Sequence, residues 1–449
     1  MSSLNVVFFY FINVAKFAVS ATHSNYVTMI VFKFGGASVK SARAVKNVTD
    51  ILQRYPEDRI AIVVSAMGKT TNAMEVIADH YFHKRKQDLS RAVAERKHYH
   101  REIVDELFPE KGHPFHAEFS ALFEALESRL AKDPTLHYDF DYDQIVPFGE
   151  MISTKIISAY LNESGIENQW MDIRKYLKSN NAFREARIDW DLSTRLVRKG
   201  FHFRDARIYV TQGFVASTID DITTTLGREG SDFTAAILAH ILRAEHVTIW
   251  KDVPGVLNAD PKWFDNTVKL EKISYLDAIE LAYYGASVIH PKTIKPLQNK
   301  NINLFIKSFL EPDAEGTLVG NITYDKLIPS FIFNMDQILI RISPNDFSFI
   351  AEDNLETIFG YVYKHGIKIN LMQNSAVSFQ ICINNDKRKS RNLIDDLEQD
   401  FRVTYETGLE LITIRYFDQS TIDRVMINKD LLLEQTYKQN IQLIVRDKG

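Results

Sequence analysis

The chain has 449 residues, of which 45% are hydrophobic and 25% charged, and its formal net charge is −4. This length predicts two or three domains, and the small net charge and ordinary apolar content argue against nucleic acid and membrane as partners. The single cysteine, Cys382, excludes an intrachain disulfide and a cysteine metal cluster, so we expect a reducing, cytoplasmic setting. The basic stretch from His80 to His113 interleaves acidic residues, which favours a solvated helix face over a nucleic-acid site.

Residues 1–28 precede the first recognisable element. Their apolar run, Val6 to Ile12, is too short to span a bilayer and is followed by Asn13 and Lys16. The segment also lacks the basic start of a signal peptide. Because Met29 opens a buried strand and a glycine loop at once, we expect residues 1–28 to be an extension outside the fold.

Short apolar segments alternate with segments of helical periodicity from Ile30 to about Ser308. The predicted strands are Ile30 to Phe34, Arg59 to Ser65, Ile208 to Val215, His246 to Trp250 and Asn303 to Lys307. The predicted helices are Val39 to Arg54, Asn72 to Leu107, Phe115 to Leu130, Gln144 to Leu161 and Asp232 to Leu242. Continuous apolar strands are typical of sheets covered on both faces. The pattern therefore predicts an α/β domain over residues 29–310, with a mainly parallel sheet sandwiched by helices.

A second pattern follows a turn-rich linker predicted at residues 311–331. Residues 332–408 alternate as strand, helix, strand, strand, helix, strand, which predicts an α+β, ferredoxin-like unit. Its elements are Gln337 to Ile342, Leu355 to His365, Lys368 to Gln373, Val377 to Ile383, Ser390 to Gln399 and Arg402 to Thr404. Residues 409–449 predict a second, shortened unit. Its elements are strand Leu409 to Tyr416, helix Thr421 to Gln439 and strand Ile441 to Val445.

KFGGAS, residues 33–38, directly follows the first predicted strand. Paired glycines let backbone N–H groups approach an anion closely, and the next helix adds its positive N-terminal end. Lys33 supplies the cation that a transferring phosphoryl group needs. The motif predicts a phosphate cradle, although paired glycines also form plain tight turns, and it is neither a Walker A loop nor a dinucleotide fingerprint.

Two further motifs supply candidate ligand contacts. SAMGKTTN, residues 65–72, follows the second predicted strand at the sheet edge where α/β proteins bind ligands. Its Thr70 and Thr71 fit a helix N-cap as well as a ligand contact. VPFGE places Glu150 in apolar surroundings, where a desolvated carboxylate needs a partner. A substrate ammonium group and a structural salt bridge satisfy that need equally well.

TTTLGREGSDFTAA, residues 223–236, concentrates polar groups ahead of a predicted helix. Arg228 fits bidentate binding of a carboxylate. Ser231 and Asp232 lie at the helix N-terminus, where Asp232 is placed to hold Lys33 or to accept a hydrogen bond from a substrate amine. Helix capping explains Ser231 or Asp232 alone, but not the whole concentration of polar groups.

WKDVPGVLNADPK, residues 250–262, follows another predicted strand and contains a Pro-Gly turn and an Asp-Pro-Lys turn. Loops at the carboxyl ends of strands often carry binding residues. By its pattern alone, however, this segment indicates only a long loop.

Together these stretches resemble the aspartate kinase (aspartokinase) family of the amino-acid kinase superfamily. KFGGAS, SAMGKTTN, VPFGE, TTTLGREGSD, KDVPGVLNADPK and YYGASVIHPKTI stand in family order, and the tail resembles the family's ACT regulatory region. The FGE, GR-x-GSD and GA-x-V-x-HP elements separate aspartate kinases from the related glutamate, acetylglutamate, carbamate and uridylate kinases. The resemblance implies an amino-acid kinase fold and ATP-dependent phosphorylation of the L-aspartate side-chain carboxylate, which yields 4-phospho-L-aspartate for lysine, threonine and methionine biosynthesis.

The resemblance also implies a role for each site residue. Lys33 and Asp232 are catalytic, and Gly35, Gly36 and Ser38 bind phosphate. The aspartate-binding residues are Thr71, Glu150, Arg228 and Ser231, with Arg228 on the α-carboxylate and Glu150 near the amine. The nucleotide-binding residues are Lys251, Asp252, Val256, Asp260, Pro261 and Lys262. Mg²⁺ arrives with ATP, without protein side-chain ligands.

The tail of the family binds lysine or threonine between paired ACT units, often across a homodimer. The matching segment here, NLMQNSAVS, contains the candidate effector residues Asn370, Gln373, Asn374 and Ser375. An ordinary strand pair and a structural dimer interface fit this segment too. The sequence does not identify the effector or the oligomeric state.

Three positions depart from the family pattern. Glu229 stands where glycine is common, Leu257 where an aromatic residue is common, and Ser287 where a phosphate-binding lysine is usual. The candidates to replace that lysine are Lys251, Lys262 and Lys292. These departures motivate an alternative, a catalytically weak, kinase-like amino-acid sensor, whereas the intact catalytic lysine, arginine and aspartate favour the enzyme.

Overall fold

The computed structural model describes residues 28–264, 266–286, 289–324, 327–346 and 348–448. The predicted extension therefore lies outside the described residues except for its last position, and so does Ser287. No helix within the described ranges is both long and apolar enough to cross a membrane.

An eight-stranded sheet forms the centre of the N-terminal region, and a two-stranded ribbon of β5 and β6 accompanies it. The strands are β1 (Met29–Phe34), β2 (Arg59–Val64), β3 (Asn168–Met171), β4 (Ile208–Gln212), β5 (Val215–Ser217), β6 (Thr223–Thr225), β7 (His246–Lys251), β8 (Lys272–Ser274), β9 (Asn303–Ser308) and β10 (Thr317–Gly320). The sheet order is β3-β4-β2-β1-β7-β9-β10-β8. All neighbours pair in parallel except β9 and β10, so the predicted mainly parallel sheet is confirmed.

Helices cover both faces of this sheet. They are α1 (Ala42–Leu52), α2 (Thr70–Phe82), α3 (Lys86–Leu107), α4 (Phe115–Leu130), α5 (Tyr138–Ile145), α6 (Phe148–Glu163), α7 (Trp190–Gly200), α8 (Gly230–Leu242), α9 (Tyr275–Tyr284) and α10 (Pro291–Gln298). Alternate residues of β1 enter two different cores, Phe32 with the α1 and α6 side and Val31 with the α8 side. Because strand side chains alternate between faces, Lys33 lies on the α8 face with Val31.

Two predicted helices are each two helices in the structure. The segment predicted as Asn72 to Leu107 is interrupted after α2, where Lys84 has a left-handed φ of +55°. The segment predicted as Gln144 to Leu161 breaks between α5 and α6 at Pro147, which lacks the N–H that a continuous helix needs. The strand predicted to reach Val215 ends at Gln212, because Phe214 also has a positive φ.

The C-terminal region forms one six-stranded antiparallel sheet with helices. Its elements are β11 (Ser330–Pro344), α11 (Glu352–Lys364), β12 (Ile369–Asn374), β13 (Phe379–Asn384), α12 (Lys387–Asp400), β14 (Phe401–Arg415), α13 (Gln419–Val425), β15 (Lys429–Tyr437) and β16 (Asn440–Asp447). The order is β12-β13-β11-β14-β16-β15. The long strand β14 runs through the predicted boundary between residues 408 and 409, so both predicted units share this sheet.

The helix predicted at Thr421 to Gln439 is wrong. The structure has the short helix α13 and then strand β15, which forms a hairpin with β16. Left-handed φ angles at Asn428 and Lys438 bound β15 at both ends. Long-range pairing with β16, which the helical periodicity of the segment does not reveal, decides the outcome. The predicted linker also contributes an element, since β10 pairs with β8 and β9.

Candidate active site

A cleft of about 900 Å³ lies beyond the carboxyl ends of the central strands β1 and β7. These strands pair in parallel, with Phe34 opposite Trp250. The cleft collects residues from the glycine-loop strand, α2, α5, α6 and the loop before α8. Its lining residues are Lys33, Ser65, Thr71, Glu75, Asp139, Tyr142, Glu150, Phe183, Arg184, Glu185, Phe214, Gly227, Arg228, Glu229, Gly230, Ser231, Asp232 and Lys251.

A buried charge cluster occupies the strand end of the cleft. Lys33 Nζ lies 2.7 Å from Asp232 Oδ1, and Lys251 Nζ lies 3.8 Å from Asp232 Oδ2. Burial raises the pKa of the Asp232 carboxyl, but the positive charges of Lys33 and Lys251 outweigh it, so the net shift is downward. Asp232 is therefore ionised and leaves one net positive charge in the cluster. The predicted proximity of Lys33 and Asp232 is present.

The glycine loop packs tightly against the segment that follows β2. Gly36 O accepts a hydrogen bond from Gly68 N at 2.9 Å. A Cβ atom on Gly36 would lie 2.7 Å from Gly68 O and 2.8 Å from Ala66 O, so no side chain fits there. A Cβ on Gly35 would lie 3.4 Å from Lys33 Nζ and would fill the space beside the ammonium group.

Ser38 has a different position from the two glycines. It is fully buried, and its hydroxyl donates to the backbone oxygen of Trp250 at 3.0 Å. This bond ties the glycine loop to the end of β7. Its predicted contact with phosphate stays a prediction, because the side chain does not line the cleft.

Glu150 lies in the first turn of α6 and is 2% exposed. Burial raises the pKa of its carboxyl to about 8, although the Ala66 N–H and the Thr71 side chain favour the charged form. Ala66 N donates to Oε1 at 3.4 Å, whereas Oε2 has no hydrogen-bond partner among the described residues. A buried carboxylate oxygen without a partner is costly. The site thus contains an acceptor that a bound ammonium group can satisfy.

The loop before α8 brings Arg228, Glu229 and Ser231 into the same cleft. Arg228 is exposed and has no hydrogen-bond or ion-pair partner in the described part of the chain. Glu229 adopts a left-handed φ of +54°, a conformation that favours glycine. Its side chain also lines the cleft, and Oε2 is buried without a described partner.

Sequence analysis missed several residues that line the cleft, among them Arg184, Tyr142 and Glu75, and it also missed the buried Asp143. The Arg184 guanidinium lies 4.6 Å from the Tyr142 ring centroid. Tyr142 in turn donates to Glu75 Oε1 at 2.6 Å. Asp143 is fully buried, and it accepts hydrogen bonds from the Arg184 and Thr225 backbone N–H groups, each at 2.9 Å. Asp143 immediately precedes the helix predicted from Gln144, and Arg184 stands in a loop without a motif, so neither position carried a sequence signal.

The predicted nucleotide-binding residues occupy the loop after β7. Among them, only Lys251 lines the cleft. Val256 is 3% exposed and belongs to the core, while Asp260 Oδ1 accepts from Lys262 N at 2.9 Å and closes the Asp-Pro-Lys turn. The remaining members, Asp252, Pro261 and Lys262, are exposed. Their nucleotide-binding roles stay predictions.

The position of Ser287, where the family pattern has a lysine, lies outside the described residues. Two of the three candidate replacements lie near the cleft. Lys251 belongs to its lining, and Lys292 Nζ lies 3.7 Å from the Cβ position of Gly227. Lys262 is exposed in the loop after β7.

The four candidate effector residues lie on β12 or directly after it, at one edge of the C-terminal sheet. Asn370 Nδ2 donates to Gln337 Oε1 and to Asn384 Oδ1, both at 2.8 Å. Ser375 closes the turn to β13 by bonding Ser378. The other two, Gln373 and Asn374, are exposed. Ligand binding at this edge stays a prediction.

Comparisons with known proteins identify the family. Residues 28–308 match the model of the amino acid kinase family. The chain is 31% identical over 406 residues to the lysine-sensitive aspartokinase 3 of Escherichia coli (strain K12), with 86% of each chain covered. It is 33% identical over 307 residues to a chloroplastic bifunctional aspartokinase/homoserine dehydrogenase of Zea mays, covering 64% of this chain and 32% of that protein.

Solved structures agree with these relatives. The crystal structure of E. coli aspartokinase III with aspartate and ADP, in the R-state, has a TM-score of 0.78 and 27% identity. The T-state structure of the same enzyme, with lysine and aspartate, has a TM-score of 0.80 and 27% identity. In both comparisons 93% of this chain and 96% of the other are covered. These findings support the enzyme over the sensor alternative, and the chain belongs to the aspartokinases of the amino acid kinase family.

Proposed function

We propose that the chain transfers the γ-phosphoryl group of ATP to the side-chain carboxylate of L-aspartate at this cleft. One observation carries the proposal: a buried lysine beside a glycine loop shares a cleft with an unpartnered carboxylate oxygen and a free guanidinium. Cations suit the phosphate and the α-carboxylate of the substrate, and the buried carboxylate suits its amine. One cleft therefore offers complementary groups for both reactants.

The chemistry requires positioning of two anions more than it requires a general base. The aspartate side chain is ionised near neutral pH, because the unperturbed pKa of such a carboxyl is about 3.9. Lys33 is placed to offset charge on the transferred phosphoryl, and Asp232 holds the ammonium group in position. Gly35 leaves space beside that ammonium group, where a phosphate oxygen would fit, while Gly36 lets the loop pack against the backbone that follows β2. The carboxylate oxygen then attacks phosphorus as the bond to ADP breaks.

Mg²⁺ fits this proposal as a companion of ATP. The described residues contain no group of three or more His, Cys, Asp or Glu side chains that could hold a metal ion. Mg²⁺ commonly binds through phosphate oxygens and waters, with few protein ligands. When bound to ATP, it supplies further neutralisation of the phosphate charge. Lys33 and Lys251 supply the positive charge from the protein side.

We also propose that lysine regulates the enzyme at the β12 edge. The support is the likeness to lysine-sensitive aspartokinase 3 and to the E. coli structure with bound lysine. An edge strand presents unpaired backbone donors and acceptors, which suit the carboxylate and amine of an amino acid. The same exposed edge suits pairing with a second copy of the chain, as expected for a homodimer.

A network of contacts joins the C-terminal sheet to α9 of the N-terminal region. Arg415 of β14 is 7% exposed and forms ion pairs with Asp277 and Glu280 of α9. Its NH1 group also donates to Asn440 Oδ1 at 3.0 Å. Lys368, the residue before β12, donates to Tyr283 O at the end of α9 at 3.4 Å. We propose that these contacts transmit a shift of the effector strand to α9, a helix of the N-terminal region.

The proposed regulation is tested by adding effectors to the working enzyme. Initial rates are measured with saturating ATP and graded aspartate, in the presence of lysine or threonine. We expect lysine to inhibit and threonine to have little effect. Inhibition by threonine alone, or by neither amino acid, would contradict lysine regulation and leave the kinase assignment intact.

A further inference from the structure

We infer that Arg184 is a second carboxylate-binding residue of the substrate site, which holds the α-carboxylate of aspartate together with Arg228. The inference rests on the proposed function and extends it to a residue that neither the sequence pattern nor the comparisons assign. Both arginines belong to the lining of the same cleft. Two guanidinium groups can bind one carboxylate more tightly and more selectively than a single guanidinium group can.

The backbone around Arg184 fixes its position relative to the Arg228 loop. Asp143 accepts from the Arg184 and Thr225 N–H groups at 2.9 Å and from the Thr225 hydroxyl at 2.7 Å. Ala186 N donates to Thr225 O at 2.9 Å, and the Cβ position of Gly227 lies 3.2 Å from Arg184 O. Thr225 is the last residue of β6, just before the loop that carries Arg228. One buried carboxylate therefore anchors both arginine-bearing segments.

The side chain of Arg184 is oriented but still has free donors. Its guanidinium stacks 4.6 Å from the Tyr142 centroid and 5.8 Å from the Tyr138 centroid, and NH1 donates to Asp139 Oδ1 at 3.1 Å. A guanidinium carries five N–H donors, and the others have no acceptor among the described residues. The aromatic contacts hold the group in place before ligand arrives, which reduces the entropy lost on binding.

Arg184 also has a strained backbone conformation, which it shares with eleven other non-glycine residues of the described ranges. Its φ of +67° lies in the left-handed region, which a long side chain rarely adopts. Glycine avoids this strain, yet the position carries arginine. Strained residues of this kind cluster at ligand-binding sites, where the function of the side chain outweighs the strain.

The position of Arg184 also indicates which carboxylate it binds. Arg184 contacts the Gly227 end of the loop, whereas Lys33 contacts Asp232, in the first turn of the helix that follows. The reacting carboxylate must lie at the Lys33 end, beside the phosphoryl group. The α-carboxylate is then expected at the other end of the cleft, beside Arg184 and Arg228, with the amine near Glu150.

The first test replaces Arg184 by glycine, which relieves the strain and removes only the side chain. We expect the Kd for aspartate from calorimetry and the KM for aspartate to rise about 10- to 100-fold, the range for losing hydrogen bonds to a charged group. The KM for ATP and kcat should stay within about twofold. Arg184→Lys should weaken aspartate binding less than Arg184→Gly, because lysine keeps the positive charge although it lacks the planar guanidinium group.

Arg243→Gly is the matched control. Arg243 has a similar φ of +55° at the C-cap of α8 but is exposed and outside the cleft lining. The Arg243→Gly substitution should leave the Kd and the KM for aspartate unchanged. The inference is overturned if Arg184→Gly leaves the Kd for aspartate unchanged, or if it raises the KM values for ATP and aspartate equally. If wild-type protein binds aspartate without turnover, the kinase step is refuted, but the Kd values for aspartate still test the role of Arg184. If wild-type protein does not bind aspartate, both the kinase function and the role of Arg184 are refuted.

The second test identifies the carboxylate. Binding of L-aspartate is compared with that of its α-amide, which keeps the amine and the side-chain carboxylate. If Arg184 holds the α-carboxylate, Arg184→Gly should weaken binding of the amide less than about threefold, because the amide already lacks the carboxylate that Arg184 would bind. An equal loss with both ligands would show that Arg184 does not bind the α-carboxylate.

Discussion

Binding of aspartate should release a proton from Glu150. In the unliganded enzyme, burial raises the pKa of this carboxyl to about 8, so that only about one tenth is ionised at pH 7. The ammonium group of aspartate requires the ionised form, and its charge lowers the pKa of Glu150 in the complex. We therefore expect release of about 0.9 proton per aspartate bound at pH 7, and an affinity that rises about tenfold from pH 6 to pH 7 and levels off above pH 8.

Calorimetry in buffers of different ionisation enthalpy measures this release directly. Glu150→Gln should bind aspartate more weakly at pH 8, release no proton at pH 7 and lose the pH dependence. The stability of the unliganded protein provides a second readout. The Glu150 carboxyl ionises near pH 4.5 in the unfolded chain and only near pH 8 in the folded protein. The free energy of unfolding should therefore fall by about 1.4 kcal/mol for each pH unit as the pH rises from 4.5 to 8. Equal proton release by wild type and Glu150→Gln would refute the proposed role of Glu150.

Three further substitutions test other parts of the structure. Lys33→Met should lower kcat by about 10²- to 10³-fold and destabilise the fold by about 3 kcal/mol, because it removes a cation from the cleft and a partner from a buried pair; normal turnover would exclude the phosphate role. Gly36→Ala should raise the KM for ATP, since its Cβ would clash with backbone oxygens, while Gly112→Ala, in open space, should match wild type in the same kinetic assay. Arg415→Met should lower the free energy of unfolding, measured with denaturant, by about 3 kcal/mol, because it removes one partner of a buried ion pair. Lys448→Met, which removes an exposed ion pair, should lower it by less than about 0.5 kcal/mol.

The central α/β pattern was predictable because buried parallel strands have a strong sequence signal. The strand that contains Lys33 and the helix that starts near Asp232 were both located, and the parallel topology brings their ends to one edge of the sheet. This geometry made the Lys33 and Asp232 contact predictable. The helix break at Lys84 was not, because Lys84 gives no signal for its left-handed conformation, whereas the break at Pro147 had a signal in the proline itself.

The wrong helix prediction in the C-terminal region has a different cause. Lys429–Tyr437 was predicted as part of a helix, but its pairing with β16 depends on a partner that a local pattern does not reveal. Tertiary context overrides local propensity in such segments. The long strand β14 places both predicted units in one sheet, and this pairing also depends on partners distant in the sequence.

Within the site, residues in motifs were predicted and residues in connecting loops were missed. Lys33, Glu150 and Arg228 all stand in recognisable stretches and all line the cleft. Arg184 stands in a loop without a motif, and it reaches the cleft only because the buried Asp143 holds its backbone. That contact joins residues from different elements, so it becomes visible only in the fold.

The most direct test of the central claim is ADP release by purified protein with Mg-ATP and L-aspartate, with hydroxylamine present to trap the acyl phosphate. Glutamate in place of aspartate is the control for substrate identity. The proposed mechanism predicts aspartate-dependent ADP release with a matching amount of aspartyl hydroxamate, and neither with glutamate. Aspartate binding without ADP release, or ADP release without hydroxamate, would contradict phosphorylation of the aspartate side chain.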